Sequence, residues 1–478
     1  MEQVLSTINN ALWSMPLVIL IVGAGLYFSI KMGFPQIRLF KEMIRATSTA
    51  GSSDKGLSPL KSFVFTSARS VGVGNISGMA AALFFGGPGS LFWLWILAVF
   101  GCTVAGIEGI LAQTYKEEIN GEFRGGPAFY MRKGIKNPAL GKTMAALYAI
   151  VIVIGIVFLM SPVQSYNIAN GISSAFHVPT IAVGVAFSIL IAVVVFGGLK
   201  RIGDVANKIF PFMALAYVAL ALIVIVTNIS EVPKVIALIF KSAFGIDPIM
   251  GAIVGTAITR GVQRGVFANE VGQGTSAITA ATSTVNHPAK QGLIGSLSVF
   301  IGTFFVCTPS VIMMLMTGCY NVQNPAGGFL YEGLPGVETG NGYVSASINT
   351  IIPGIGEIFV AVAILLFAFV ALLAYYHYSE SNLAYLVGGN KTAVLILRIC
   401  FVACIFMGTL LKAEVIWTMG DIAAGAQCWI NIIAVFLLGN IAVKIFKDYD
   451  RQKKNGVTEP VFDPDTLGIK NASDIWKK

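Results

Sequence analysis

The sequence predicts an all-α polytopic membrane protein with about eleven transmembrane helices: one N-terminal helix, then a 5+5 inverted repeat containing two broken helices. Three observations carry this. Of 478 residues, 55% are hydrophobic and only 12% charged, with a mean hydropathy of +0.78, whereas soluble domains carry roughly 25% charged residues. Apolar runs of about 17 residues or more, enough to cross a bilayer, recur along the chain. Two of these runs are interrupted by glycine, asparagine and charge at corresponding places of the two halves, the pattern of a secondary transporter with a midplane site.

Taken in order, the spans are Met15–Ile30, Phe63–Phe85, Leu91–Ala112, Met144–Ala169, Thr180–Phe196, Ile209–Thr227, Ile249–Ser283, Leu293–Thr317, Ile355–Tyr376, Ala393–Leu411 and Val415–Val443. The first follows no basic n-region and no small-residue cleavage site, so it is expected to be retained. The second contains Ser67-Ala-Arg-Ser-Val-Gly-Val-Gly-Asn-Ile-Ser-Gly78, where Gly72, Gly74 and Gly78 weaken helix and Asn75 sets an amide at mid-membrane depth. Non-helical backbone at that depth is tolerated only where it lines a cavity or is buried in protein. The seventh is broken in the same manner by Ile258-Thr-Arg-Gly-Val-Gln-Arg-Gly-Val-Phe-Ala-Asn-Glu-Val-Gly-Gln-Gly274. Setting the first span aside leaves five and five, and an odd number per half forces opposite orientation. The expected divisions are 1–62, 63–248, 249–445 and a polar tail, 446–478, ordered only by docking.

Loop charge sets the orientation. Lys31 to Lys61 holds six basic and two acidic residues and Lys116 to Lys142 six and three, while Gly318 to Pro353 has no basic residue. The positive-inside rule places the basic loops and the tail from Lys444 in the cytoplasm and the N-terminus outside, in the plasma membrane. The net charge of +9 is explained by these loops, and no nucleic-acid partner is expected. His177, His287 and His377 fall in separate loops or span ends, and no H-E-x-x-H or G-x-S-x-G stands in the chain, which argues against an enzyme. Gly141-Lys-Thr143 lacks an upstream glycine at phosphate-loop spacing. The six cysteines have no metal-type spacing and read as packing residues.

Gly86-Gly-Pro-Gly-Ser-Leu-Phe-Trp-Leu-Trp-Ile-Leu-Ala-Val-Phe-Gly101, with Val71-Gly-Val-Gly-Asn75, Gly265-Val-Phe-Ala-Asn-Glu-Val-Gly272 and Gly125-Gly-Pro-Ala-Phe-Tyr130, resembles the alanine or glycine:cation symporter family, whose fold is of the leucine-transporter type. The resemblance runs from Trp13 to about Phe446. It implies an amino-acid site between the first and sixth core helices, built from Val71, Gly72, Val73, Gly74, Asn75 and Gly78 on one side and Phe267, Ala268, Asn269 and Glu270 on the other. Exposed N–H groups at a half-helix N-terminus suit a carboxylate, and free carbonyls suit a cation or ammonium. Glu270 either counters the ammonium or pairs with Arg264 or Arg260, and the glycines either open the site or let helices pack closely.

The resemblance also implies sodium as co-substrate, with no other cofactor, held by Ala68, Ser70, Val71 and Asn75. Two hydroxyls usual in the family are replaced where Val370 and Ala371 align, an Asp where Gly302 aligns and a Trp where Tyr375 aligns. Loss of hard oxygen ligands weakens sodium binding, so sodium, a proton or no ion stay open as the coupling. Arg69 either stands in for a missing cation or serves a cytoplasmic gate; His377 either carries a proton or sits in an aromatic interfacial belt with Tyr375, Tyr376 and Tyr378. Tyr375 also admits a larger or more polar substrate than alanine or glycine. The expected partners are a small-molecule amino acid and the bilayer, acting on a monomer; a channel is the remote alternative.

Overall fold

Proline, asparagine and glycine punctuate the apolar runs where helices start and stop. Asn137 accepts from the Ala139 and Leu140 N–H groups ahead of Pro138, and Asn390 caps the helix at Lys391 in the same way. Gly318 and Gly388, at φ +70° and +64°, close two helices in the left-handed conformation that glycine adopts without strain. The chain, a computed structural model, is described over residues 2–48, 58–60, 63–64, 67, 72–119 and 121–476, with side chains throughout except at 198–207, 209–211, 213 and 413–414.

The principal helices are α1 (Gln3–Met32), α2 (Val73–Gly86), α3 (Gly89–Tyr115), α4 (Pro138–Phe176), α5 (Thr180–Val195), α6 (Gly198–Thr227) and α7 (Val232–Ala243) in the first half. The second half contributes α8 (Val254–Asn269), α9 (Thr275–Ala281), α10 (Pro288–Thr317), α11 (Gly356–Val387), α12 (Lys391–Gly408) and α13 (Ala413–Lys454). Among the described residues, seven helices are long and apolar enough to cross a membrane, and an eighth span arises if Ala214–Thr227 and Ile229–Ala243, bent by 76°, are one. The difference from eleven has local causes. The second span is described as helix only over the 14 residues of α2, α5 has 16 residues, and the seventh span is divided into α8 and α9. In α5, Ile181, Val185, Ile189 and Val193 recur every fourth residue and are 46–60% exposed, an outward apolar stripe suited to lipid.

Packing sorts the helices by position within each half. α2 and α3 lie against α8 and α10, whereas α4 packs on α11 and α12, α5 on α12, and α6 on α11. The first two spans of the two halves thus form one group and the later spans another, as an inverted repeat requires. α13 contacts α1, α3 and α4. Two π-turns, Gly155–Met160 within α4 and Ile301–Cys307 within α10, interrupt otherwise continuous helix; such turns mark functional sites frequently. Residues 455–476 fold back across one end of the bundle: the Ser473 N–H donates to the Thr114 carbonyl (2.8 Å), the Trp476 indole to the Gln113 carbonyl (2.9 Å), and the Phe462 N–H to the Asn286 carbonyl (3.1 Å). The tail is therefore docked from residue 455, while residues 446–454 continue α13 as helix.

Candidate substrate and cation site

α2 starts after an extended Gly72, and the residues before it, Ala68, Arg69, Ser70 and Val71, lie outside the described residues, so the cation and coupling roles expected of them have no structural account. Gly72 is the N-cap, and the Asn75 side-chain oxygen accepts from its N–H (2.9 Å). That single bond satisfies one of the donors a helix start leaves open and leaves Asn75 Oδ1 a second lone pair. The Asn75 amide nitrogen donates to the Cys307 sulfur at 3.1 Å, inside the α10 π-turn. Cys307 is therefore a hydrogen-bond partner as well as a packing residue.

The second break falls later than the residues expected to line it. Phe267, Ala268 and Asn269 are the last helical residues of α8; Glu270 turns left-handed at φ +57°, and Gly272 and Gly274 follow at φ +78° and +80° before α9. Asn269 donates to the Thr303 hydroxyl (2.8 Å), one π-turn from Cys307. Its own side-chain oxygen is buried and meets no donor among the described residues. Gly74 brings the two half-helices into contact, since a Cβ there would lie 3.0 Å from the Phe267 ring and 3.4 Å from Ala268 Cα. Gly78 differs: a Cβ there would meet Trp417 and the Val73 carbonyl at 3.8 Å, an ordinary van der Waals contact that leaves room for a methyl group.

Glu270 accepts from the Thr275 hydroxyl (2.7 Å) and the Tyr378 hydroxyl (3.1 Å). The arginines weighed as its partners are engaged elsewhere: Arg264 forms a buried ion pair with Asp421 of α13, and Arg260 donates to Gln263 (2.8 Å). The Arg264 guanidinium also lies 5.4 Å from the ring centroids of Phe267 and Trp417, which are 5.7 Å apart. Tyr375 is 3% exposed and receives a bond from Gln164 of α4 (3.4 Å), whose oxygen faces the Val73 N–H at 3.4 Å. His377, Tyr376 and Tyr378 are at most 1% exposed, so the expected aromatic belt at the membrane surface is corrected to a buried polar seam of α11. Val370 and Ala371 are buried there too, and Ala371 abuts Gly72.

The structure thus brings together Gly72, Val73, Gly74, Asn75, Phe267, Ala268, Asn269 and Tyr375. It adds Gln164, Thr303, Cys307, Trp417 and Asp421, which sequence reasoning passed over. A polar or charged side chain inside an otherwise apolar span was the available signal for Gln164 and Asp421.

Two short helices, α2 and α8, meet at Gly74 within a bundle of long apolar helices, a fold shared with solved transporters of the leucine-transporter type. The structure of MhsT in complex with L-phenylalanine superposes with a TM-score of 0.53 at 15% identity, over 83% of this chain and 99% of that one. The chain belongs to the sodium:alanine symporter family, whose model matches residues 1–464. It is 40% identical over 438 residues to the sodium/proton-dependent alanine carrier protein of Bacillus sp. (strain PS3), covering 91% of this chain and 97% of that protein. It is 30% identical over 459 residues to the sodium/alanine symporter AgcS of Methanococcus maripaludis, covering 95% and 98%. The protein is a transporter and not an enzyme.

Proposed function

We propose that the protein imports a small, alanine-like amino acid with sodium by alternating access, through the site between α2 and α8. The observation that carries the reading is the convergence of Asn75 and Asn269 on one π-turn, with an Asn269 oxygen that meets no donor among the described residues. Buried amide oxygens are hard ligands, and a buried acceptor without a donor costs free energy unless something fills it. Asn75, Asn269 and Thr303 replace the hydroxyls missing at Val370 and Ala371 in this account, with Gly72 to Asn75 receiving the carboxylate and Phe267 and Trp417 enclosing the side chain. The N-terminus faces outward and the tail the cytoplasm; the tail's docking partners all lie in loops or helix ends that charge assigns to that side.

The test is uptake of labelled alanine into proteoliposomes under an imposed sodium gradient, a proton gradient, or neither. Sodium-driven uptake that Asn75→Ala and Gly74→Val each abolish, with both variants folded in detergent, is the expected result. A proton gradient that drives uptake without sodium replaces the cation reading, and normal uptake by either variant removes the site.

A further inference from the structure

Glu108 is fully buried in α3, two turns before its C-terminal end, and the functional reading above makes no use of it. An intramembrane carboxylate is costly and rarely kept without a task. Its two oxygens accept from two helices: Ser276 of α9 donates its hydroxyl (2.8 Å), and Asn431 of α13 donates its amide (2.6 Å). The same Asn431 nitrogen donates to the Gly272 carbonyl (2.9 Å), in the break itself, and Tyr130 donates to the Asn431 oxygen. Both protons and the oxygen of the Asn431 amide are thereby committed, and its orientation is single-valued. Tyr148 of α4 closes the other side by donating to the Gln273 carbonyl (2.7 Å).

The carboxylate matters because it only accepts. Glutamine at 108 replaces two charge-assisted bonds with neutral ones roughly half as strong; its NH₂ group can donate to the Ser276 hydroxyl, which also accepts, but turned towards Asn431 it loses the bond there. A weakened or lost bond at Asn431 frees that amide to rotate and releases the Gly272 carbonyl; a weakened bond at Ser276 loosens the first turn of α9. The Ser276 bond joins α9 to α3, its neighbour in one helix group, whereas the Asn431 bonds tie Glu108 and the Gly272 carbonyl to α13, which packs on α3 and α4. Movement of α9 against α13 must break the second set.

We propose that Glu108 is a positioning residue for transport: through Asn431 and Ser276 it holds the Glu270–Gly274 break and the α9 half-helix against α13, and so sets the rate of conversion between facing states without contributing to substrate affinity. The inference rests on the transporter class of the chain and on no particular substrate or ion. Two readouts test it. In proteoliposomes, Glu108→Gln is expected to lower the maximal rate of alanine uptake at least tenfold with KM within threefold of the parent, Glu108→Asp to recover part of that rate, and Glu108→Gln with Asn431→Ala to be no slower than the slower single variant. Independently of any substrate, Thr284→Cys just beyond α9 is expected to react with a thiol reagent several-fold faster when combined with Glu108→Gln. An unchanged rate in folded Glu108→Gln, losses that multiply in the double variant, or unchanged labelling overturns the proposal. If the parent takes up no alanine, the proposed substrate fails, and the labelling result alone decides this one.

Discussion

Arg264 and Asp421 are each about 5% exposed and form an ion pair beside the aromatic wall of the site. Removing one partner of a buried pair leaves the other charge uncompensated at a cost of about 3–5 kcal/mol, whereas replacing both by apolar groups of similar volume is commonly tolerated. Asp421→Ala is therefore expected to lower the thermal unfolding midpoint in detergent by several degrees, and Arg264→Met with Asp421→Leu to recover most of it. If the paired replacement melts as low as Asp421→Ala, the loss is one of packing and not of charge. At this scale the sequence was legible wherever glycine and asparagine cluster, as at Gly72, Gly74 and Asn75. It was opaque at Thr303 and Trp417, because each gains a role only from a residue on another helix.

The break between α8 and α9 is built on positive φ angles, and Gly274 is its tightest point. A Cβ there would lie 2.4 Å from Pro127, 2.8 Å from Asn431 and 2.8 Å from the Tyr148 hydroxyl, at a φ of +80°. Left-handed backbone costs a non-glycine residue about 1–2 kcal/mol, and forced contacts add about 1–3 kcal/mol. Gly274→Ala should give markedly less folded protein by gel filtration, while Gly78→Ala, with 3.8 Å of clearance, should fold as the parent does. Equal behaviour of the two variants would contradict this account of the break. Sequence reasoning located the interruption but set its lining at Phe267 to Glu270, because a left-handed Glu270 carries no compositional mark. The π-turns escaped it altogether, since one residue of extra winding leaves the apolar pattern almost unchanged.

Over the whole molecule, hydropathy marked the long helices and loop charge marked the ends, yet the grouping of α2 and α3 with α8 and α10 follows from packing between halves that no local pattern displays. The docked tail shows the same dependence on distant contacts. Lys116, at the end of α3, donates to the Ser283 carbonyl (2.8 Å) and lies 4.3 Å from the Phe123 ring centroid and 5.7 Å from the Trp476 ring. Burial there pushes its pKa down from 10.5 to about 7. Release of the tail uncovers part of this burial and raises the Lys116 pKa above about 7, so over the pH range beginning there the docked form binds fewer protons. Docking is therefore favoured by rising pH from about 7 upward and insensitive to this group below it. Hydrogen exchange at the Ser473 amide, corrected for intrinsic rates, should show protection that grows with pH across this range, and Lys116→Met should flatten the dependence. Protection that falls with pH in the parent would reverse the sign and refute the argument.

The tail also has a consequence in time. Ser473 and Trp476 are made more than three hundred and fifty positions after their partners Thr114 and Gln113. Phe462 and Glu459 close on Asn286 and Lys290, which belong to the other half. The strap can fasten only after both halves have been inserted and brought side by side, so it records completed assembly. A chain cut just after Lys454 would carry every span with this final closure unmade.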